Sequence, residues 1–106
     1  MLTPAMFHIL VALAEGERHG YAVMQEVEQR TAGALELGPG TLYRSIKLLL
    51  AEGLIAEVKS RSSEEAQRRV YRLTTVGRRR AAAEAERLRD LLGWAESANL
   101  LGSGSP

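Results

Sequence analysis

Arginine and lysine are the residues whose placement in this sequence could do chemistry. Residues 59–80 hold eight cations, Lys59, Arg61, Arg68, Arg69, Arg72, Arg78, Arg79 and Arg80, against the two carboxylates Glu64 and Glu65. The stretches before and after are each net acidic, so the 106-residue chain carries a formal charge of only +1. A local cationic patch in a near-neutral chain fits contact with phosphate, although arginines solvating a surface hairpin and a helix start leave the same pattern. Two further cations, Arg44 and Lys47, stand three residues apart in "GPGTLYRSIKLLLAEGLI" (38–55). On a helix that spacing puts both on one face. An arginine there can grip a phosphate or a guanine edge with paired donors, and a lysine offers a point charge.

Other chemistries lack their residue sets. The chain has no cysteine, which excludes disulfides, thiolate metal sites and cysteine nucleophiles. His8 and His19 are the only histidines, too few for a metal site without cysteine, and His19 suits the entry to a helix. No Ser-His-Asp order, apolar carboxylate pair or Gly-rich phosphate loop is present. The "GPG" at 38–40 could receive a phosphate at a helix N-terminus, and a nucleic-acid backbone supplies one as well as a small substrate does. The expectation is a non-enzyme with no cofactor and no metal.

These residues need elements to position them. With 45% hydrophobic residues the chain can build one modest core. Thr3-Pro4 reads as a helix start, and Met6, Phe7, Ile9, Leu10, Val11 and Leu13 wrap most of the helix that follows, which should be buried and end near Gly16. A second helix begins around His19-Gly20, with Tyr21, Val23, Met24 and Val27 on its apolar side, and closes at Thr31-Ala32-Gly33. "LEL" (35–37) could pair as a short strand. Pro39 opens a third helix behind Gly38 as N-cap. Its Leu42, Ile46, Leu49 and Leu50 share one face, Gly40, Arg44, Lys47 and Ala51 point the other way, and Tyr43 lies on the flank.

After Gly53, "LIAEV" (54–58) and "RVYRLT" (69–74) alternate as strands around the polar loop "KSRSSEEAQR" (59–68), a hairpin longer than tight turns require. Thr74 or Thr75 caps a last helix that runs to about Ala98. Arg78, Arg79 and Arg80 oppose the dipole in its first turns, so something should offset them, nearby phosphate being one candidate. Ala81, Ala85, Leu88, Leu92 and Ala95 make one apolar row on it, and Leu91, Trp94, Ala98 and Leu101 another. One chain cannot cover so much apolar helix, so a second copy is expected. "GSGSP" (102–106) reads as a flexible tail. The longest apolar run, "ILVALA" (9–14), is too short to span a bilayer, and Glu15, Glu17 and Arg18 interrupt any signal-like start, which together predict a cytoplasmic protein.

Four pieces in this order, the helix "HGYAVMQEV" (19–27), "PGTLYRSIKLLLAEGLI" (39–55), the charged loop and "VYRLTTVGRR" (70–79), resemble the PadR family of transcriptional regulators over roughly residues 3–98. The single C-terminal helix is similar to that of the compact subfamily. The resemblance implies a mainly α winged helix-turn-helix with a small β-hairpin wing: a DNA-binding domain at 1–75, a dimerisation helix at 76–101 and a tail at 102–106. It implies a homodimeric repressor that meets a pseudo-palindromic operator in double-stranded DNA and leaves it on binding an aromatic or hydrophobic effector. On DNA it places Pro39, Gly40, Thr41 and Tyr43 at the helix opening and Tyr21 near the backbone. Arg44 and Lys47 on the outward face, and Lys59, Arg61, Arg68 and Arg69 in the wing, join them. Dimerisation falls to Met6, Leu10, Leu88, Leu92 and Trp94. Trp94 either packs the dimer or, with Leu91, Ala95 and Ala98, receives a flat ligand. Two departures stand out: Gly38 where many members have a serine cap, and Glu64-Glu65 in the wing loop. The acidic wing keeps a second reading open, a winged-helix module for protein interaction or effector binding that does not read DNA sequence.

Overall fold

The computed structural model describes residues 2–35, 37–58 and 69–102. The Thr3 side chain accepts from the Met6 N–H at 3.1 Å and Pro4 occupies the first helical turn, so α1 runs Pro4–Ala14. A two-residue strand β1 (Arg18–His19) leads directly into α2 (Gly20–Arg30). Helix α3 (Pro39–Ala51) follows, then β2 (Ile55–Val58), β3 (Val70–Leu73) and the long α4 (Thr75–Ser97). The three strands form one antiparallel sheet in the order β1-β3-β2, with Glu57 opposite Tyr71 and Val58 opposite Val70.

The core lies where α1, α2 and α3 meet the sheet. Ile9, Leu10, Val23, Val27, Leu37, Leu42 and Leu49 are completely enclosed, with Leu54, Ile55 and Tyr71 closing the sheet side. Apolar residues at helical spacing on α3 therefore point inward and hold its opposite face toward solvent.

Backbone closure at the helix ends explains much of the punctuation in the sequence. At the end of α3, Leu54 N–H donates to Leu49 O and Gly53 N–H to Leu50 O, both at 3.0 Å, with Gly53 at φ 73°. This paired closure puts the buried Leu54 against the last apolar turn and aims the chain into β2. Helix α2 ends in the same way, Gly33 N–H donating to Glu28 O and Ala32 N–H to Gln29 O, but there Ala32 takes the left-handed position at φ 51°.

Two sequence expectations change. Residues 35 and 37 are not in a strand; Leu37 plugs the core instead. The third strand comes from Arg18–His19, which the sequence places at a helix entry. Two residues are too few to show alternation, and their pairing is fixed by the exposed edge of β3. Gly20 N–H then donates to Arg69 O at 3.2 Å, continuing that ladder into the first turn of α2.

Helix α4 starts in tight register with the sheet. Thr74 Oγ1 accepts from Gly77 N–H at 2.9 Å and lies 2.7 Å from Gly53 O, tying the helix cap to the end of α3. A Cβ at Gly77 would stand 1.8 Å from Leu54 O, so only glycine fits that crossing. Arg78 donates to Ala14 O at 3.2 Å, and its charge meets the negative end of α1. The offset expected for this arginine thus lies within the chain.

A charged cluster locks α1 to α2. Arg18 Nε donates to Ala12 O at 3.0 Å while standing 3.0 Å from Glu26 Oε2, and Arg30 pairs with Glu26 at 2.8 Å and also with Glu15. The hydrogen on Arg18 Nε goes to the carbonyl, leaving Glu26 Oε2 as an ionic neighbour without a hydrogen bond of its own.

Candidate nucleic-acid interface

The exposed side of α3 is set by what its buried side holds. Ser45 and the apolar Leu42, Ile46 and Leu49 face the core, which turns Thr41, Arg44 and Lys47 outward. Pro39 and Gly40 are exposed at its first turn, and a Cβ at Gly40 would meet nothing within 4 Å. No side chain caps this helix, since Gly38 precedes it, so its first N–H groups stand at an uncapped, positive helix end.

Tyr43 is oriented by a neighbouring helix. Its ring lies against Gly20 at the start of α2, where an added Cβ would stand 3.3 Å from Tyr43 Oη. The absence of a side chain at residue 20 lets the half-buried ring settle over that turn. Burial raises the Tyr43 hydroxyl above its ordinary pKa, so it keeps its proton and can donate. Tyr21, the next residue of α2, is exposed beside it in sequence. Arg69 is exposed just before β3, 4.0 Å from Glu57 and joined to Gly20 through its carbonyl. The start of α2, the flank of α3 and the start of β3 are therefore linked through Tyr43, Gly20 and Arg69. Tyr71 sits beneath, its hydroxyl also raised, mainly by burial and then by Glu57.

Lys59, Arg61 and Arg68 of the wing, with Glu64 and Glu65, lie outside the described residues. Leu48 is exposed on α3, a position the sequence reading assigned to neither face. A helical wheel over the same thirteen residues places it among the outward cations.

The C-terminal residues expected to pair or to bind a ligand present a different surface. Within α4 only Gly77 is buried. Trp94 is 69% exposed, with Leu91, Leu92 and Ala98 also open, Leu88 at the border and Ala95 half-buried. Met6 and Leu10 require a correction: they are 4% and 0% exposed in the single chain, spent in its own core with no surface left for a second copy. What α1 offers instead is Phe7, His8 and Val11, which with Glu84, Arg87 and Leu88 of α4 line a groove of about 540 Å³. Glu84 is held below the usual carboxylate range, chiefly by the hydrogen bonds from Arg87. Among the described residues no group of three or more His, Cys, Asp or Glu could hold a metal ion, and no helix is long and apolar enough to cross a membrane.

Three helices around one core, the third exposing cations, followed by an antiparallel hairpin define a winged helix-turn-helix fold. Residues 9–83 match the Transcriptional regulator PadR-like family, and the chain belongs to that family of regulators, which are not enzymes. It is 34% identical over 84 residues to the transcriptional regulator Rv3488 of Mycobacterium tuberculosis, covering 79% of this chain and 75% of that one. It is 35% identical over 89 residues to a 37.1 kDa protein in transposon TN4556 of Streptomyces fradiae, covering 84% of this chain but only 24% of that protein's length. The structure of Bacillus subtilis PadR in complex with operator DNA superposes with a TM-score of 0.69 at 20% identity, over 80% of this chain and 48% of that one.

Proposed function

We propose that the chain is a homodimeric DNA-binding repressor that reads a pseudo-palindromic operator with α3 and is released from it by an aromatic or hydrophobic effector. The observation that carries this reading is the outward stripe of Thr41, Arg44 and Lys47 on a helix whose other side is fixed in the core. The solved operator complex of the Bacillus subtilis protein with the same fold supports it. Residues 1–75 act as the DNA-binding unit and 76–101 as the pairing helix, with Tyr21, Tyr43 and Arg69 placed for backbone phosphates. The wing cations Lys59, Arg61 and Arg68 add further phosphate or minor-groove contact. In the dimer, Leu88, Leu92 and Trp94 bury their exposed surface against a second copy. Trp94, Leu91, Ala95 and Ala98 give a flat ligand its place between the paired helices, and a change in their angle moves the two α3 helices out of operator spacing.

In a mobility-shift assay on a duplex enriched from a random library, Arg44→Ala with Lys47→Ala should abolish binding while the protein stays dimeric. Unchanged binding would remove α3 from the reading role. The effector arm is read separately by Trp94 fluorescence: saturable quenching by flat aromatic compounds, coupled to loss of DNA binding, supports it. The acidic pair Glu64-Glu65 in the wing favours one other reading, a winged-helix module that binds protein or effector without reading DNA. Duplex binding with no dependence on salt would support that alternative, because neutralising phosphates must release counterions.

A further inference from the structure

Leu48 is the residue of α3 that neither the core nor the cationic pattern explains. Its neighbours Leu42, Ile46 and Leu49 are at most 3% exposed, yet Leu48 is 50% exposed. At about 100° per residue, the outward arc runs in the order Lys47, Gly40, Ala51, Arg44, Leu48, Thr41. Leu48 therefore stands between Arg44 and Thr41 around the helix, about one turn beyond Arg44 and two beyond Thr41 along the axis. A lone exposed leucine needs no explanation on an ordinary surface. This one interrupts the stripe that would face the base edges.

A leucine has no donor or acceptor, so among the groups on a major-groove floor it can complement only the thymine C5-methyl. Set against cytosine at the same place, it would leave the N4 amino group facing hydrocarbon without an acceptor. Arg44, four residues earlier on the same face, would hold a phosphate or guanine alongside. We propose that Leu48 is a specificity-determining residue that selects thymine by its methyl group next to the contact made by Arg44. This inference rests on α3 being the reading helix.

The test uses a duplex enriched by the full-length dimer from a random library, remade with uracil in place of thymine at one position at a time. Uracil pairs as thymine does and lacks only the methyl. For the native protein, one position in each half-site should lose about fourfold in affinity per methyl removed. Leu48→Ala should bind the thymine duplex more weakly and show no penalty for uracil at that position. Leu48→Met, which keeps an apolar side chain there, should retain the penalty. An equal uracil penalty in native protein and Leu48→Ala, or no penalty at any position, would overturn the role of Leu48 and leave DNA binding intact. Failure of the native dimer to enrich any duplex would remove the DNA-binding reading and the role of Leu48 with it.

Discussion

At the scale of the residue, the proposed reading gives the two cations of α3 separable duties. Arg44 carries a planar fork suited to paired acceptors and Lys47 a mobile point charge, so their loss should look different. Arg44→Ala should cost about 1–3 kcal/mol and relax preference at one base pair if it grips a guanine, whereas Lys47→Ala should weaken all sequences alike and lower the salt slope by about 1. Binding curves on matched and mismatched duplexes at several salt concentrations distinguish the two. Arg44 and Lys47 were legible in the sequence because opposite wheel faces follow from spacing alone. Leu48 falls outside both faces read from the sequence, and its place shows only when the whole wheel of α3 is filled. Arg78 shows a different limit: its acceptor is Ala14 O, sixty-four residues away in the chain, and no local pattern announces a contact of that kind.

At the scale of the element, helix ends decide direction. All four helices, the Thr3 cap, the α4 cap to within Thr74 or Thr75, and the glycine after α3 were readable, since each depends on residues within one turn. The β1 strand was not, because only its long-range pairing to β3 makes it a strand. Ala32 is a local weak point, a residue with a Cβ in the left-handed closure of α2. Ala32→Gly should stabilise the protein by about 1 kcal/mol, seen as a higher urea midpoint with unchanged slope. Gly77→Ala should do the reverse, by about 3 kcal/mol, because its Cβ would meet the backbone carbonyl of Leu54 rather than a side chain that can turn away. A Gly77→Ala protein with native thermal stability would mean that α4 can leave the sheet without cost.

At the scale of the whole molecule, the chain divides its apolar residues unevenly. Ile9, Leu10, Val23, Val27, Leu42 and Leu49 of α1 to α3 are enclosed, while Leu91, Leu92 and Trp94 of α4 stand in water. Composition could not separate these two fates: α1 reads only as a helix to be buried, and the resemblance assigns Met6 and Leu10 to the dimer. Both lie in the chain's own core instead. Pairing through α4 predicts that Leu88→Glu with Leu92→Glu yields a folded monomer by sedimentation, with helical circular dichroism retained since neither residue belongs to the core. A dimer that survives both changes would move the pairing surface elsewhere. The central claim joins the scales: two copies of the α3 stripe read one duplex. Protection of guanine N7 from methylation on an enriched duplex tests it most directly. Two protected major-groove patches about one helical turn apart, both lost in the Arg44→Ala, Lys47→Ala protein, are the predicted result. A single patch, or protection that persists in that variant, would contradict it.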